Sequence, residues 1–197
     1  AGDESFFVVA TENFTTVTID DGVTITTQIL NQGETFAHSV TEPLTYISTD
    51  KNVYLLHATG YGCEMGEALL PPLNCAGSEQ VSFTRNKTQP FFITLTCPAG
   101  AEDDFVLNGN PFIIDPLDFD PVPGTAGAYV GDTIEFSNAQ IAMNSSNLLT
   151  NSADFFSMGV FNGGATGGVL YHYLSSFLRR VIVVAGPDTT LCNAETV

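Results

Sequence analysis

Apolar residues along this chain recur at alternate positions, or cluster in runs of four to eight, and Gly, Pro, Asn and Asp bound each run. Alternation sends successive side chains to opposite faces of an extended backbone, so the pattern predicts strands rather than helices. The predicted strands in the first part of the chain are 5–10, 13–20, 23–30, 35–40, 44–48, 52–58, 80–84 and 90–97. After a turn at 99–104 come 110–115, 128–137, 155–161, 169–175 and 179–185. Helical periodicity is close to absent. Its best instance, 139–151, is so rich in Asn and Ser that one or two turns are the most it predicts. Short strands with turn signals about every ten residues indicate an all-β chain built as a Greek-key β-sandwich or barrel.

Breakers concentrate at Pro111, Pro116, Pro121, Pro123, Gly124 and Gly127. Proline there contributes no ladder donor, so a domain boundary is expected near residue 122, giving domains 1–121 and 122–197. The two parts share a faint order of motifs. Gln32-Gly-Glu-Thr-Phe36 is echoed by Val130-Gly-Asp-Thr-Ile-Glu-Phe136, and the 90–97 strand by 169–176.

Charge removes several function classes. The 197 residues carry 22 acidic and 5 basic side chains, a formal net charge of -17, yet only 14% of residues are charged. The imbalance therefore comes from missing Lys and Arg rather than from acidic tracts. Five cations cannot build the positive surface that nucleic acid or anionic lipid requires. No apolar run approaches the ~18 residues of a membrane-spanning helix, so membrane insertion is not expected.

Three features suggest an oxidising, secretory setting. The chain opens at Ala1 without an initiator Met, as a processed mature form would. Sequons occur at Asn13, Asn86 and Asn144, the signature of a glycoprotein. Cys63, Cys75, Cys97 and Cys192 form an even set without a Cys-x-x-Cys pair, which favours two disulfides over a zinc site. Four cysteines allow three connectivities, and a local Cys63–Cys75 bridge would close the loop containing Pro71 and Pro72.

Candidate chemistry is thin. Glu102, Asp103, Asp104, Asp115, Asp118 and Asp120 supply hard oxygen ligands that calcium would accept, although their spacing matches no EF-hand and a solvated acidic surface explains them better. No Gly-x-Ser-x-Gly elbow is present, and Gly163-Gly164-Ala-Thr-Gly167-Gly168 lacks the Lys of a phosphate loop. With no Trp, a sugar-stacking cleft for paired carboxylates is also missing. An enzyme is the class with least support. His57 and His172 read as structural histidines, with alternation placing His172 opposite the rings of Tyr171 and Tyr173.

The Gly-Asp-Thr-x-x-Phe strand at 131–136, the Tyr171-His172-Tyr173 segment, Asn52-Val53, Tyr61-Gly-Cys63 and Phe92-Ile93 together resemble the cupredoxin family. Residues 128–186 are similar to plastocyanin, and the first part is similar to the phytocyanins. That resemblance implies two tandem cupredoxin-like sandwiches, but it also implies lost copper. Lys51 and Thr94 occupy the first His and the thiolate positions of one domain, and Ser175 the thiolate position of the other. Hydroxyls and a cation do not replace a soft thiolate. It further implies a Cys63–Cys97 bridge, leaving Cys75 for Cys192. The resulting expectation is a noncatalytic interaction or structural module without cofactor, acting outside cells, at the cell surface or in the thylakoid lumen. Its partners would be other proteins: a basic partner or the subunits of a larger assembly. The alternative is an electron-transfer protein with displaced copper ligands, drawing on His38, His57, Met65 and Cys97. Leu69-Leu70-Pro-Pro-Leu73 and Phe155-Phe156 are the candidate apolar contact patches.

Overall fold

A computed structural model describes residues 4–61, 64–74, 76–164 and 168–174. Fifteen strands are present among them: β1 (Ser5–Ala10), β2 (Thr15–Asp20), β3 (Ile25–Leu30), β4 (Thr35–Ser39), β5 (Tyr46–Thr49), β6 (Val53–Tyr61), β7 (Glu64–Leu69) and β8 (Gln80–Thr84). Then follow β9 (Phe91–Pro98), β10 (Phe105–Leu107), β11 (Asp120–Pro121), β12 (Tyr129–Glu135), β13 (Ser146–Asn151), β14 (Ser157–Gly164) and β15 (Gly168–Tyr173). Among the described residues helix is confined to short 3-10 turns at Glu102–Asp104 and Pro116–Asp118. The all-β expectation holds, and every strand pairing is antiparallel.

Four sheets pack as two pairs. A four-stranded sheet, β4-β1-β6-β7, faces a three-stranded sheet, β3-β2-β5. Alternation dictates the core between them: Val8 and Ala10 of β1, Val17 and Ile19 of β2 and Leu30 of β3 point inward, joined by Phe36, Ile47, Val53 and Leu55. The second pair sets the five-stranded sheet β11-β12-β9-β14-β15 against β10-β13-β8. Its core is larger and aromatic, with Phe83, Phe91, Phe105, Phe136 and Phe156 buried among aliphatic side chains. The second cluster begins at Val81, so residue 122 lies inside the second sheet pair, in the turn between β11 and β12, which pair with each other.

One buried cation organises the rim of this core. Arg85 donates from Nε to the Lys87 carbonyl (3.0 Å), from Nη1 to Phe136 (3.0 Å) and from Nη2 to Gln89 (2.8 Å) and Thr88 (3.4 Å). Its guanidinium lies over the Phe91 ring, 5.4 Å from the centroid. Asn162 on β14 completes the clamp. Its Oδ1 accepts from the Asn86 and Lys87 amides, and its Nδ2 donates to the Gln89 and Pro90 carbonyls. Inside the turn over residues 85–90, the Lys87, Thr88 and Gln89 carbonyls and the Asn86 and Lys87 amides are met by these two side chains, while its ends are bonded by the Asn144 and Gly163 amides.

Several sequence expectations change here. Residues 110–115 form turns, because the Asn110 carboxamide accepts from the Phe112 amide and closes the chain on itself. The short strand there is 105–107 instead. Part of 139–151, expected as helical turns, is β13. Residues 64–69, expected as loop, pair with β6. The strand expected at 179–185 lies outside the described residues.

Candidate protein-contact face

Antiparallel sheets with one solvated face ordinarily turn polar residues outward. The four-stranded sheet does not. With Phe6, Val8 and Ala10 directed inward, alternation directs Phe7 and Val9 outward. Register then aligns an outer row across all four strands: Ala37 on β4, Phe7 on β1, Leu56 on β6 and Leu69 on β7. A second row places Thr35, Val9 and Tyr54 side by side. Tyr54 is 59% exposed and Leu69 49%. Glu67 and Met65 continue the β7 edge, and no Lys or Arg stands on these outer positions. A contiguous apolar face rimmed by polar groups is the mark of a contact surface.

The inner side of the same sheet is tied to the second sheet pair. Gly66 on β7 lies under Tyr171 of β15, where an added Cβ would stand 2.6 Å from the Tyr171 Cβ. The Tyr171 hydroxyl meets His57 Nδ1 at 2.8 Å, and His57 Nε2 meets Glu4 Oε1 at 2.6 Å. Burial pushes the Tyr171 phenol up, with the Tyr173 phenol and the Glu4 carboxylate adding to the shift. His57 is therefore satisfied by two side chains. His172 is exposed opposite a buried Tyr171, as alternation required.

The expected site residues distribute as follows. Among the described residues Cys97 on β9 is a buried free thiol; Cys63, Cys75 and Cys192, its expected bridge partners, lie outside the described residues. Burial first, then the charges of Glu102 and Asp154, push the Cys97 thiol up to about 12. Little thiolate forms near neutrality in such a site. A thiol-specific reagent at pH 8 should accordingly label Cys97 at least about a hundredfold more slowly in the native chain than in denaturant, followed by peptide mass analysis. Rapid native labelling would refute the buried assignment.

Displaced copper ligation fails on position. His57 is engaged with Glu4 and Tyr171, Met65 is on an exposed strand, and Cys97 belongs to the other core. Among the described residues no group of three or more His, Cys, Asp or Glu side chains is arranged to hold a metal ion. The six carboxylates proposed for calcium are dispersed. Glu102 accepts from the Gly100 amide, Asp104 from the Ser152 hydroxyl and Asp115 from the Leu117 amide. Asp103 stands in the 3-10 turn, and Asp118 and Asp120 face Asp132, whose carboxyl is pushed up by burial and by those two charges. Asn13, Asn86 and Asn144 are all exposed, and the Asn144 amide donates to the Arg85 carbonyl, so two of the three sequons are neighbours. Of the two apolar patches, Leu69 belongs to the outer row, whereas Phe156 is core.

The sequence conceals the outer row because β7, between Cys63 and Pro71, carries too few apolar residues to predict a strand. Met65 and Leu69 stand at same-face positions, with the charged Glu67 between them interrupting the apolar period. No curated protein and no solved structure matches the chain. A family model described as IgGFc binding protein matches residues 1–161. That match overturns the cupredoxin resemblance, and physically the motifs it rested on are not two sandwiches: β9 of the first part and β12 and β15 of the second belong to one five-stranded sheet. The match spans both sheet pairs almost to the end of β14, and the chain belongs to the IgGFc binding protein family.

Proposed function

We propose that this chain is a noncatalytic protein-binding module acting outside the cytoplasm, and that it binds through the outer face of the four-stranded sheet. One observation carries the reading: Ala37, Phe7, Leu56 and Leu69 form an unbroken apolar row on a face that antiparallel sheets usually keep polar. The family's description names the Fc part of immunoglobulin G as what is bound, which makes Fc the first partner to test. An Fc partner is extracellular, which supports that setting. The thylakoid alternative rested on the cupredoxin resemblance and falls with it. The acidic balance of the chain favours partners with basic contact surfaces.

Tyr54→Asp combined with Leu69→Asp tests the face without touching either core. Fc binding, measured by interferometry, should weaken at least about tenfold while the unfolding midpoint stays within about 2 °C of the parent. Unchanged affinity would remove this face from the interface. A parent chain that fails to bind Fc would end the Fc assignment and move the same variant pair to other candidate partners.

A further inference from the structure

A second surface, independent of that face, is the free edge of β3. In the β3-β2-β5 sheet, β3 is terminal, and no described strand pairs with its outer side. The direction of its free groups follows from the ladder. Thr16 receives from the Asp50 amide and donates its own amide to the Asp50 carboxylate, so its backbone groups turn toward the β5 side of β2. Backbone direction alternates, so Thr15, Val17 and Ile19 turn toward β3 and bond to Leu30, Gln28 and Thr26. The Asp21 amide, bonded to the Thr24 carbonyl, keeps the same phase at the hairpin end. The N–H and C=O groups of Ile25, Thr27 and Ile29 are left pointing outward. Among the described residues, only the Ile29 carbonyl of these meets a donor, the adjacent Gln28 side chain at 3.4 Å.

Natural sheets guard such edges with Lys, Pro, bulges or very short strands. This edge carries none of them. Ile25-Thr-Thr-Gln-Ile-Leu30 is six residues long, in continuous register with β2, and without charge. Ile25 is 70% exposed and Ile29 60%. The hairpin behind it is held firmly, since the Asp21 carboxylate accepts from the Val23 and Thr24 amides and the Thr24 hydroxyl. Those bonds, led by the Thr24 amide, hold the Asp21 carboxyl below its ordinary value. The ends of the edge are acidic. Asp20 stands opposite Ile25, and Glu34 accepts from the Asn31 amide just beyond Leu30.

We propose that β3 is a strand-addition site for an extended segment of a partner protein, apolar at alternate positions and flanked by Lys or Arg. Three outward donor and acceptor pairs provide the ladder, Ile25 and Ile29 the side-chain contact, and Asp20 and Glu34 the choice of a cationic occupant. A second copy of this chain is disfavoured as occupant by the like charge of the two edges.

The full chain, a lysine-flanked peptide of alternating valine and threonine, and a glutamate-flanked counterpart test this. Residue-resolved amide exchange should show Ile25, Thr27 and Ile29 exchanging fast in the free chain and protected once the lysine peptide is added. Thr27→Pro removes one outward donor and leaves the β2 ladder intact, and it should weaken that binding at least about tenfold. Thr27→Lys, which any edge tolerates, should do the same if proline perturbs the hairpin. Raising ionic strength about tenfold should also weaken it, and the glutamate peptide should bind worse by a similar factor. Slow exchange at these amides in the free chain, equal affinity for both peptides, or binding indifferent to both variants would overturn the proposal. So would a concentration-dependent dimer that Thr27→Lys abolishes, since the occupant would then be a second copy. Tyr54→Asp with Leu69→Asp should leave peptide binding intact, which separates this surface from the sheet face.

Discussion

Arg85→Met should lower the free energy of unfolding by about 3–5 kcal/mol, read from chemical denaturation at neutral pH. The side chain is 3% exposed and appears in no salt bridge among the described residues. Its stabilising role comes from its fork, which reaches four carbonyls that no strand satisfies. Methionine fills a similar volume but removes every guanidinium donor: the buried Phe136 carbonyl loses its partner, while the Lys87 and Gln89 carbonyls keep only Asn162, each lost bond costing about 1–3 kcal/mol unless the turn opens to water. Opening is opposed by Asn162, so the two residues should couple: Asn162→Ala added to Arg85→Met should cost less than the sum of the single changes. Lysine at position 85 keeps the charge but presents a single donor centre and should recover less than half of the loss. A cost for Arg85→Met below about 1 kcal/mol would mean that the turn rearranges freely and that the clamp is incidental.

Phe156→Ala should be equally damaging, at about 3–5 kcal/mol, by a different route. Its ring meets Phe105 edge-on with centroids 5.2 Å apart, and Phe105 in turn stacks on Phe119 at 5.7 Å. The backbone around it is fixed by a two-bond bridge to Ser78, so collapse into the cavity is restricted. Neighbouring Phe155, half-buried, should cost much less on the same substitution, which the same denaturation series would show. Comparable losses at both positions would contradict the inward assignment of Phe156.

Much of the fold was legible because alternation was clean where one face is buried. Ser5–Ala10 and Gln80–Thr84 come out with the predicted limits, since aliphatic or aromatic side chains fill every inward position. Legibility failed where polar residues point inward. In β13 the inward positions are Asn147, Leu149 and Asn151, and both asparagines are buried. Asn147 accepts from Asn108 and Asn151 donates to the Ala101 carbonyl, so hydrogen bonds replace apolar contact and erase the period from the sequence. The separation into two cores was masked in another way. Proline and glycine near residue 122 mark a turn within a sheet, and breaker density alone does not tell an internal turn from a linker. The candidate face was half visible: Leu69 stood out, but its row joins residues from strands far apart in sequence, and only register brings them together.

The place of β9 has a kinetic consequence. Its two partners, β12 and β14, both follow it in the chain, so Phe91, Ile93 and Leu95 have no ladder on either side until residues 129–135 and then 157–162 have been made. A nascent chain must therefore carry this apolar strand wholly unpaired through roughly forty residues of synthesis and half-paired through about another twenty-five, a window of several seconds at ordinary elongation rates. Long-range closure of this kind is slow and leaves a sticky segment open to the wrong partner. Yield on expression should thus depend more on elongation rate and chaperone supply than on the equilibrium stability of the finished sheets.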